Sequence, residues 1–417
     1  MNLEKWTIVR DIFAIKREEW LDRDSLEALQ ERRLTRVVRA ARDTPHYGRI
    51  LPPDISDLDS LARLAPTSKE DVRRDPFSFV RKQAAGRLQV FNTSGSTGKP
   101  MPVYMDQGAI FYSGAVKYAM VTDFGLSPLD HLAEVSIWTK TARPGRMGIF
   151  RRLQLPVSDS EEANLGRMAT HHVNVFSAYP TIAQLLAGLN SERRTPLRMK
   201  SVYCGGEVLR SRTRESIESS FSAEVFQRYG NTEFGFVAWE CPQEHRLHVC
   251  SSSVILEILD AKGKPRKSGE GEVALTTLHN LAMPLIRFRI GDLASWGKEC
   301  PCGRGWPVLG SIAGRSGETV RLPSGRIRPT FAFNVLYDSE FRFDGISQFQ
   351  IVQESPEVFV FRYIPSDGGP TREVLSEIEK RIRRACLGED IEVGFQETDS
   401  ISKSPSGKTT HMIPYRG

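Results

Sequence analysis

Between residues 131 and 230 the chain alternates two kinds of apolar pattern. The runs HLAEVSIW (131–138), HHVNVFSAY (171–179) and MKSVYCGG (199–206) read as buried strands. PTIAQLLAGLNS (180–191) carries helical spacing, and RSRTRESIESSFSAEVFQRYG (210–230) predicts a helix followed by another strand. Strands separated by helices return in the same direction, so this stretch specifies an α/β fold with a largely parallel sheet. Such sheets present their ligand crevice at the carboxyl ends of the strands.

The flanks read differently. The first 50 residues predict helix, with DSLEALQERRLTRVVRAARDTP at helical spacing and Pro45 as its stop. APTSKEDVRRDP offers Thr67 or Ser68 as a helix cap. VYMDQGAIFYSGAVKYAMVTDFGL predicts a strand and then a long helix. From about residue 250, SSVILEILDAKGKPRKSGEGEVALTTL and MPLIRFRIGDLASW predict strands joined by glycine-rich and charged turns. After AGRSGE the pattern changes again to strands FQIVQESPEVFVFRYIP, an amphipathic helix REVLSEIEKRIRRACL, and a strand IEVGFQET. The expected organisation is therefore a large domain over 1–313, a hinge at 314–318 and a small α/β domain over 319–417.

Composition excludes several classes. At 417 residues, 40% hydrophobic and 26% charged, the chain is ordinary globular protein. It has no apolar run near the length of a membrane span, and its N-terminus mixes charges into the apolar positions, so a cytoplasmic location is expected. The net charge of +6 suits anionic small ligands, and no nucleic-acid motif is present. Six cysteines are few for a disulfide scaffold. Cys204, Cys250 and Cys386 sit in apolar runs and read as packing residues. Cys241, with His245 and His248 nearby, and the C-x-C of Cys300 and Cys302 lie in turns that suit tetrahedral zinc.

The stretch FNTSGSTGKP (91–100) is built to hold an anion. Gly95 and Gly98 let successive N–H groups turn toward one point, Thr93, Ser94, Ser96 and Thr97 add hydroxyl donors, and Lys99 adds a charge. The Walker pattern fails because Pro100 follows Lys99. Four later stretches match it in kind. RYGNTEFG (228–235) sets Tyr229, Gly230, Asn231, Thr232 and Glu233 just after a predicted strand, with a ring to stack on a base and a carboxylate suited to Mg2+. FRIGDL offers Asp292 for paired hydroxyls, AGRSGE offers Arg315, and SPSGKT offers Lys408 on a loop-like tail.

In this order the motifs TSGSTGKP, YCGGE, YGNTE, AMPLIRFRIGDL, CPCGR, AGRSGE and the terminal SGK resemble the adenylate-forming enzymes. The branch they resemble holds the phenylacetate–CoA ligases, coenzyme F390 synthetases and CapK-like proteins. That resemblance implies ATP, Mg2+ and a small-molecule carboxylic acid as substrates and cofactor, with CoA as the acceptor. It implies that residues 93–99 wrap the β- and γ-phosphates, Thr232 touches the α-phosphate and Glu233 carries Mg2+. Tyr229 would pack on adenine, walled by Gly205, Gly206 and Glu207, with Asp292 and Arg315 at the ribose. Lys408 would bridge the attacking carboxylate and the α-phosphate. Two positions depart from the family's habit: Ile290 stands where threonine is common, and Gly317 where the hinge is often charged.

The resemblance also implies a structural Zn2+ held by Cys241, His248, Cys300 and Cys302, with His245 competing for the histidine position. Tyr112, Trp138, Tyr179, Gly205 and Phe234 are candidate acyl-pocket residues, a mix that suits a planar apolar acid. The leading expectation is an ATP-dependent ligase that joins an aryl or arylacetic acid to CoA. An enzyme passing the acyl group to an amine, hydroxyl or carrier thiol shares every adenylation residue, so the two readings stay open. A non-catalytic nucleotide-binding protein is disfavoured by the intact Glu233, Asp292 and Lys408.

Overall fold

A computed structural model describes residues 3–82, 88–93, 101–136, 151–157, 159–207, 209–313, 319–330, 332–333, 343–366, 368–401 and 412–415. Helices α1 (Leu3–Glu18) and α2 (Arg23–Arg42) open the chain, followed by the short α3 (Tyr47–Ile50), α4 (Leu58–Ala62) and α5 (Lys69–Arg74). α2 forms where the spacing predicts it. Leu26, Leu34, Val37, Val38 and Ala41 make one buried face, and the Asp22 side chain caps the start by accepting from the Ser25 amide at 2.8 Å. Ser68 caps α5 in a reciprocal capping box with Asp71.

A hairpin of β1 (Gln89–Asn92) and β2 (Pro102–Met105) leads into α6 (Gln107–Asp123). Then come β3 (His131–Ser136), β4 (Arg151–Pro156), α7 (Glu161–Thr170), β5 (Val175–Ala178), α8 (Pro180–Glu192), β6 (Ser201–Gly205), α9 (Ser211–Phe221) and β7 (Glu224–Asn231). The strands β8 (Gly235–Glu240), β9 (Leu247–Val249), β10 (Val254–Leu259), β11 (Glu270–Thr277), β12 (Phe288–Trp296) and β13 (Val308–Ala313) follow.

All of β3–β13 belong to one 11-stranded sheet, in the order β10-β11-β12-β13-β9-β8-β7-β6-β5-β3-β4. The half β4-β3-β5-β6-β7 is parallel, as the strand–helix alternation predicts. From β7 to β8 onward the pairing turns antiparallel. The strand-rich region after residue 250 thus extends the same sheet, and the largely parallel expectation holds for only one side of it. One face of the parallel half packs α7, α8 and α9 over Phe176, Val202 and Val225, with Ile217 of α9 buried in the same cluster. The other packs α1 and α6 over Tyr203, Phe226 and Trp239.

A buried ion pair lies within the antiparallel half. Glu257 lies inside the fully buried β10 and accepts from Arg287 Nε and Nη2 at 2.9 Å each. Arg287 is 1% exposed and also donates to the backbone oxygens of Leu64 and Gly263, which ties the α4–α5 segment to the sheet. Removing one partner strands the other charge away from water. Arg287→Met should therefore lower the unfolding free energy by about 3–5 kcal/mol. A urea titration showing less than about 1 kcal/mol lost would refute that.

The remaining strands form a second lobe. β14 (Thr319–Arg321) pairs with β15 (Ile327–Pro329). β16 (Ile346–Gln353), β17 (Val358–Pro365), α10 (Arg372–Ala385), β18 (Glu392–Glu397) and β19 (Met412–Ile413) complete the order, with the sheet running β18-β17-β16-β19. β19 was read from sequence as part of a loop-like tail; its two residues pair in parallel with β16. α10 buries Ile378, Ile382 and Ala385 on a core of its own with Val320, Phe349, Phe359 and Phe361. This lobe touches the large one through charge. The buried Arg328 pairs with Glu161 and donates to the Val157 oxygen, and Arg326 meets Glu162 at 2.6 Å, both carboxylates being in the first turn of α7. The proposed hinge at 314–318, with Arg315 and Gly317, lies outside the described residues. Cys204, Cys250 and Cys386 are fully buried, as read. No helix among the described residues is long and apolar enough to cross a membrane.

Candidate nucleotide site and metal centre

The β1–β2 hairpin presents the Gly/Ser stretch. Thr93 is buried at its neck, where its amide donates to the Met101 oxygen and its Oγ1 accepts from the Met101 amide, both at 3.0 Å. Ser94, Gly95, Ser96, Thr97, Gly98 and Lys99 lie outside the described residues, as do Trp138 and Lys408.

Tyr229 and Asp292 are far apart in sequence and meet across the sheet. The Tyr229 hydroxyl donates to Asp292 Oδ2 at 2.9 Å, joining β7 to β12. The tight turn from β7 to β8 carries Asn231, Thr232 and Glu233, and Asn231 Oδ1 accepts from the Phe234 amide at 2.9 Å. A Cβ at Gly230 would lie 2.2 Å from the Gly235 oxygen, so this turn closes only on glycine. Glu233 is 3% exposed, and its Oε1 accepts no hydrogen bond. The one cation beside it among the described residues is Lys69, the first residue of α5, with Nζ 3.0 Å from Oε1 but out of hydrogen-bond line. A buried carboxylate oxygen aimed at a cation and otherwise unsatisfied suits a hard divalent ion.

Gly205 and Gly206 end β6 beside β7, with Gly205 paired to Arg228. Tyr179, partly buried, lies against Gly206, and desolvation pushes its phenol up. The Glu207 carboxylate turns to α8, accepting from the Thr181 amide at 3.0 Å and the Thr181 hydroxyl at 2.7 Å. Burial raises its pKa against the pull of those bonds. Tyr112 donates to the Ser252 oxygen at 2.9 Å and stacks on His279 at 5.1 Å. Phe234 is buried and tilts against Phe288.

The thiols converge as the turns predict. The ligand atoms of Cys241, His248, Cys300 and Cys302 all lie within 4.8 Å of one another. Cys241 Sγ is 3.7 Å from Cys300 Sγ, and Cys302 Sγ is 3.5 Å from His248 Nε2. A tetrahedron with Zn–S bonds of about 2.3 Å has S···S edges of about 3.7–3.8 Å, whereas a disulfide would need about 2.05 Å. His248 Nδ1 lies 3.1 Å from the Trp306 oxygen, which fixes the proton there and leaves Nε2 as the ligand atom. Burial holds the imidazole down at about 4, so it is neutral at pH 7. His245 instead points at carboxylates, with Nε2 3.2 Å from Glu224 and Nδ1 3.4 Å from Glu240. The following turn docks on the α1–α2 corner, where the Gly305 amide donates to the Glu19 oxygen at 2.9 Å.

Sequence reasoning missed Lys69, read only as the residue after a helix cap. Nor does the sequence bring Lys117 of α6 and Glu134 of β3 together, or set Arg228 against Ser177. The one signal was a charge set inside an apolar run, as Glu134 is in HLAEVSIW.

The sequence profile described as AMP-binding enzyme matches residues 28–280. The chain belongs to that family, whose adenylate-forming fold unites the β-sheet crevice and the following small lobe. Among curated relatives it is 28% identical over 342 residues to a phenylacetate-coenzyme A ligase of Thermus thermophilus, covering 75% of each chain. It is 19% identical over 373 residues to Protein CapK of Staphylococcus aureus, covering 85% of this chain and 80% of that one. Among solved structures it is similar to 2-hydroxyisobutyryl-CoA ligase in complex with 2-HIB-AMP and CoA, with a TM-score of 0.66 and 21% identity, covering 96% of this chain and 91% of that one.

Proposed function

We propose that the protein activates a carboxylic acid with ATP, releasing pyrophosphate, and passes the acyl group from the resulting acyl-adenylate to the thiol of CoA. The observation that carries this reading is the bond from Tyr229, near the end of β7, to Asp292 of β12, with the buried Glu233 on the turn that follows β7, in an AMP-binding chain. Likeness to phenylacetate-coenzyme A ligases makes aryl and arylacetic acids the first substrates to try, and CoA the first acceptor.

Each residue has a task that its chemistry fits. The stretch from Thr93 to Lys99 supplies hydroxyl and amide donors to the polyphosphate. Thr232 contacts the α-phosphate. Glu233 holds Mg2+, which when bound neutralises phosphate charge. Tyr229 offers its ring to adenine while its hydroxyl fixes the Asp292 carboxylate for the ribose, with Arg315 beside it. Gly205, Gly206 and Glu207 flank the base. Lys69, with Nζ 3.0 Å from Glu233 Oε1, offsets part of the carboxylate's charge. Lys408 neutralises charge on the attacking carboxylate and the α-phosphate, and rotation of the small lobe about 314–318 brings it in and out.

Cys241, His248, Cys300 and Cys302 hold Zn2+, which supplies a structural clamp. Three thiolates and one imidazole close the coordination shell and leave no position for substrate.

Product analysis tests the reaction. ATP with an accepted acid should give AMP and pyrophosphate in equal amounts, resolved by anion-exchange chromatography. ADP and phosphate as the products would end the adenylation reading.

A further inference from the structure

With the crevice read as an adenylate site, the space beneath it between the sheet and α6 is where the acyl group enters. Arg228 directly precedes Tyr229, and its partner Gly205 directly precedes Gly206. That space is polar. Lys117 of α6 pairs with Glu134 of β3, and Gln154 Nε2 donates to the other Glu134 oxygen at 3.2 Å. Glu134, Gln154 and Ser177 are register partners on adjacent strands, so their side chains share one face of the sheet. Arg228 Nη2 donates to Ser177 Oγ at 3.2 Å, and its guanidinium lies over the Phe236 ring at 5.2 Å. Arg152 lies over the Tyr118 ring at 5.3 Å.

Lys117 and Glu134 pair between α6 and the sheet, and their side chains keep 19% and 16% of their surface exposed. The pair is therefore within reach of a solute entering from solvent. Gly205 supports the arrangement, because a Cβ there would lie 2.7 Å from Arg228 Cγ. The glycine thus clears room for the arginine side chain to cross the sheet.

The charges do not balance. Lys117, Arg152 and Arg228 all act on the single carboxylate of Glu134, which they hold below the usual range. Among the described residues no carboxylate lies within ion-pair distance of Arg152 or Arg228. Enclosure lowers the pKa of both Lys117 and Arg228. Uncompensated cations in an enclosed site are costly unless an anion arrives with the ligand.

We infer that the acid substrate carries a second anionic group at its far end, which enters between Arg152, Arg228 and Lys117. The acyl pocket then selects a dicarboxylic acid, or an acid bearing another fixed anion, over the matching apolar monoacid. One carboxylate goes to the adenylate, and the other stays ionised and unreacted in the cationic pocket. Guanidinium groups suit that carboxylate through paired N–H donors.

Matched acyl-sulfamoyladenosines test this by calorimetry: phenylacetyl against 4-carboxyphenylacetyl, and butyryl against succinyl. In the wild type at least one dianionic member should bind tenfold or more tightly than its neutral partner. In Arg228→Met and Lys117→Met, each first checked for folding by its thermal transition, that ratio should fall to about one. Neutral members binding as well as or better than both dianionic ones would overturn the inference and leave adenylation standing. A preference that survives in both variants would overturn the assignment to these residues. Binding by none of the four would remove the adenylate reading and this inference with it.

Discussion

Lys408→Ala should slow acyl-adenylate formation by about 10²–10³-fold while changing ATP binding little. The group lost is a charge-assisted contact made mainly in the transition state, worth about 3–4 kcal/mol. It is far in sequence from Tyr229, Glu233 and Asp292, on a segment rich in serine, proline and glycine. On the proposed mechanism it reaches the nucleotide only when the small lobe turns about 314–318, and it withdraws before the acceptor arrives. The second half-reaction, started from synthetic acyl-adenylate and CoA, should then proceed at close to the wild-type rate. Single-turnover quench-flow on each half separates the two. Equal slowing of both would show that the tail is a structural strut and that rotation of this lobe does not partition the reaction. Gly317→Pro should by contrast slow both halves, because it restricts the turn that each one needs.

The second large effect concerns the metal. About one equivalent of zinc should copurify, and Cys300→Ser should lower stability by at least about 3 kcal/mol, a drop in Tm of about 5 °C or more. Zinc at a closed site of a small domain contributes about 10–16 kcal/mol to folding. Here the strands around the cluster retain their own pairing, so only part of that is exposed to loss. The turn that carries Cys300 and Cys302 is also seated on the α1–α2 corner through Gly305 and Glu19, so loosening should spread to those helices first. Hydrogen exchange in α1 and α2 should rise, while pyrophosphate exchange at low temperature stays within about twofold of wild type. Elemental analysis finding no zinc in a folded, active preparation would dispose of the site.

The candidate nucleotide residues stand out in the sequence because they break local rules. Glycine, serine and threonine clustered after an apolar run forgo packing, and Asn231, Thr232 and Glu233 crowd a strand end where a turn needs fewer polar groups. What the residues do to each other was not legible. The bond from Tyr229 to Asp292 and the approach of Lys69 to Glu233 join segments whose separation only the folded sheet removes. The cluster of Lys117, Glu134, Arg152 and Arg228 was hidden for another reason. In a strand, one charged residue among apolar ones reads as a side chain facing water, and nothing local tells a charge paired between layers from one on the surface. Gly205 shows the same limit. Read alone it is a wall for a flat base, but in the fold it makes way for Arg228. The quartet of thiols and imidazole was legible in kind, and the choice of His248 over His245 needed the Trp306 carbonyl and the two glutamates that claim His245.

The cluster of Cys241, His248, Cys300 and Cys302 is assembled from two half-sites, with Cys241 and Cys300 separated by 59 positions along the chain. Neither half can complete a tetrahedron. In the folded sheet the halves meet where β13 pairs with β9, Val308 lying opposite His248. A slip of one residue between β13 and β9 would carry the Cys300–Cys302 side about 3.4 Å along the strand from His248 and break the four-ligand set. Any ion held by all four groups therefore acts during folding as a selector of strand register. Correctly paired chains are trapped by the metal, and misregistered ones remain free to come apart and try again. Refolding yield should accordingly depend on zinc during the interval in which the antiparallel half of the sheet closes, and much less on zinc added afterwards.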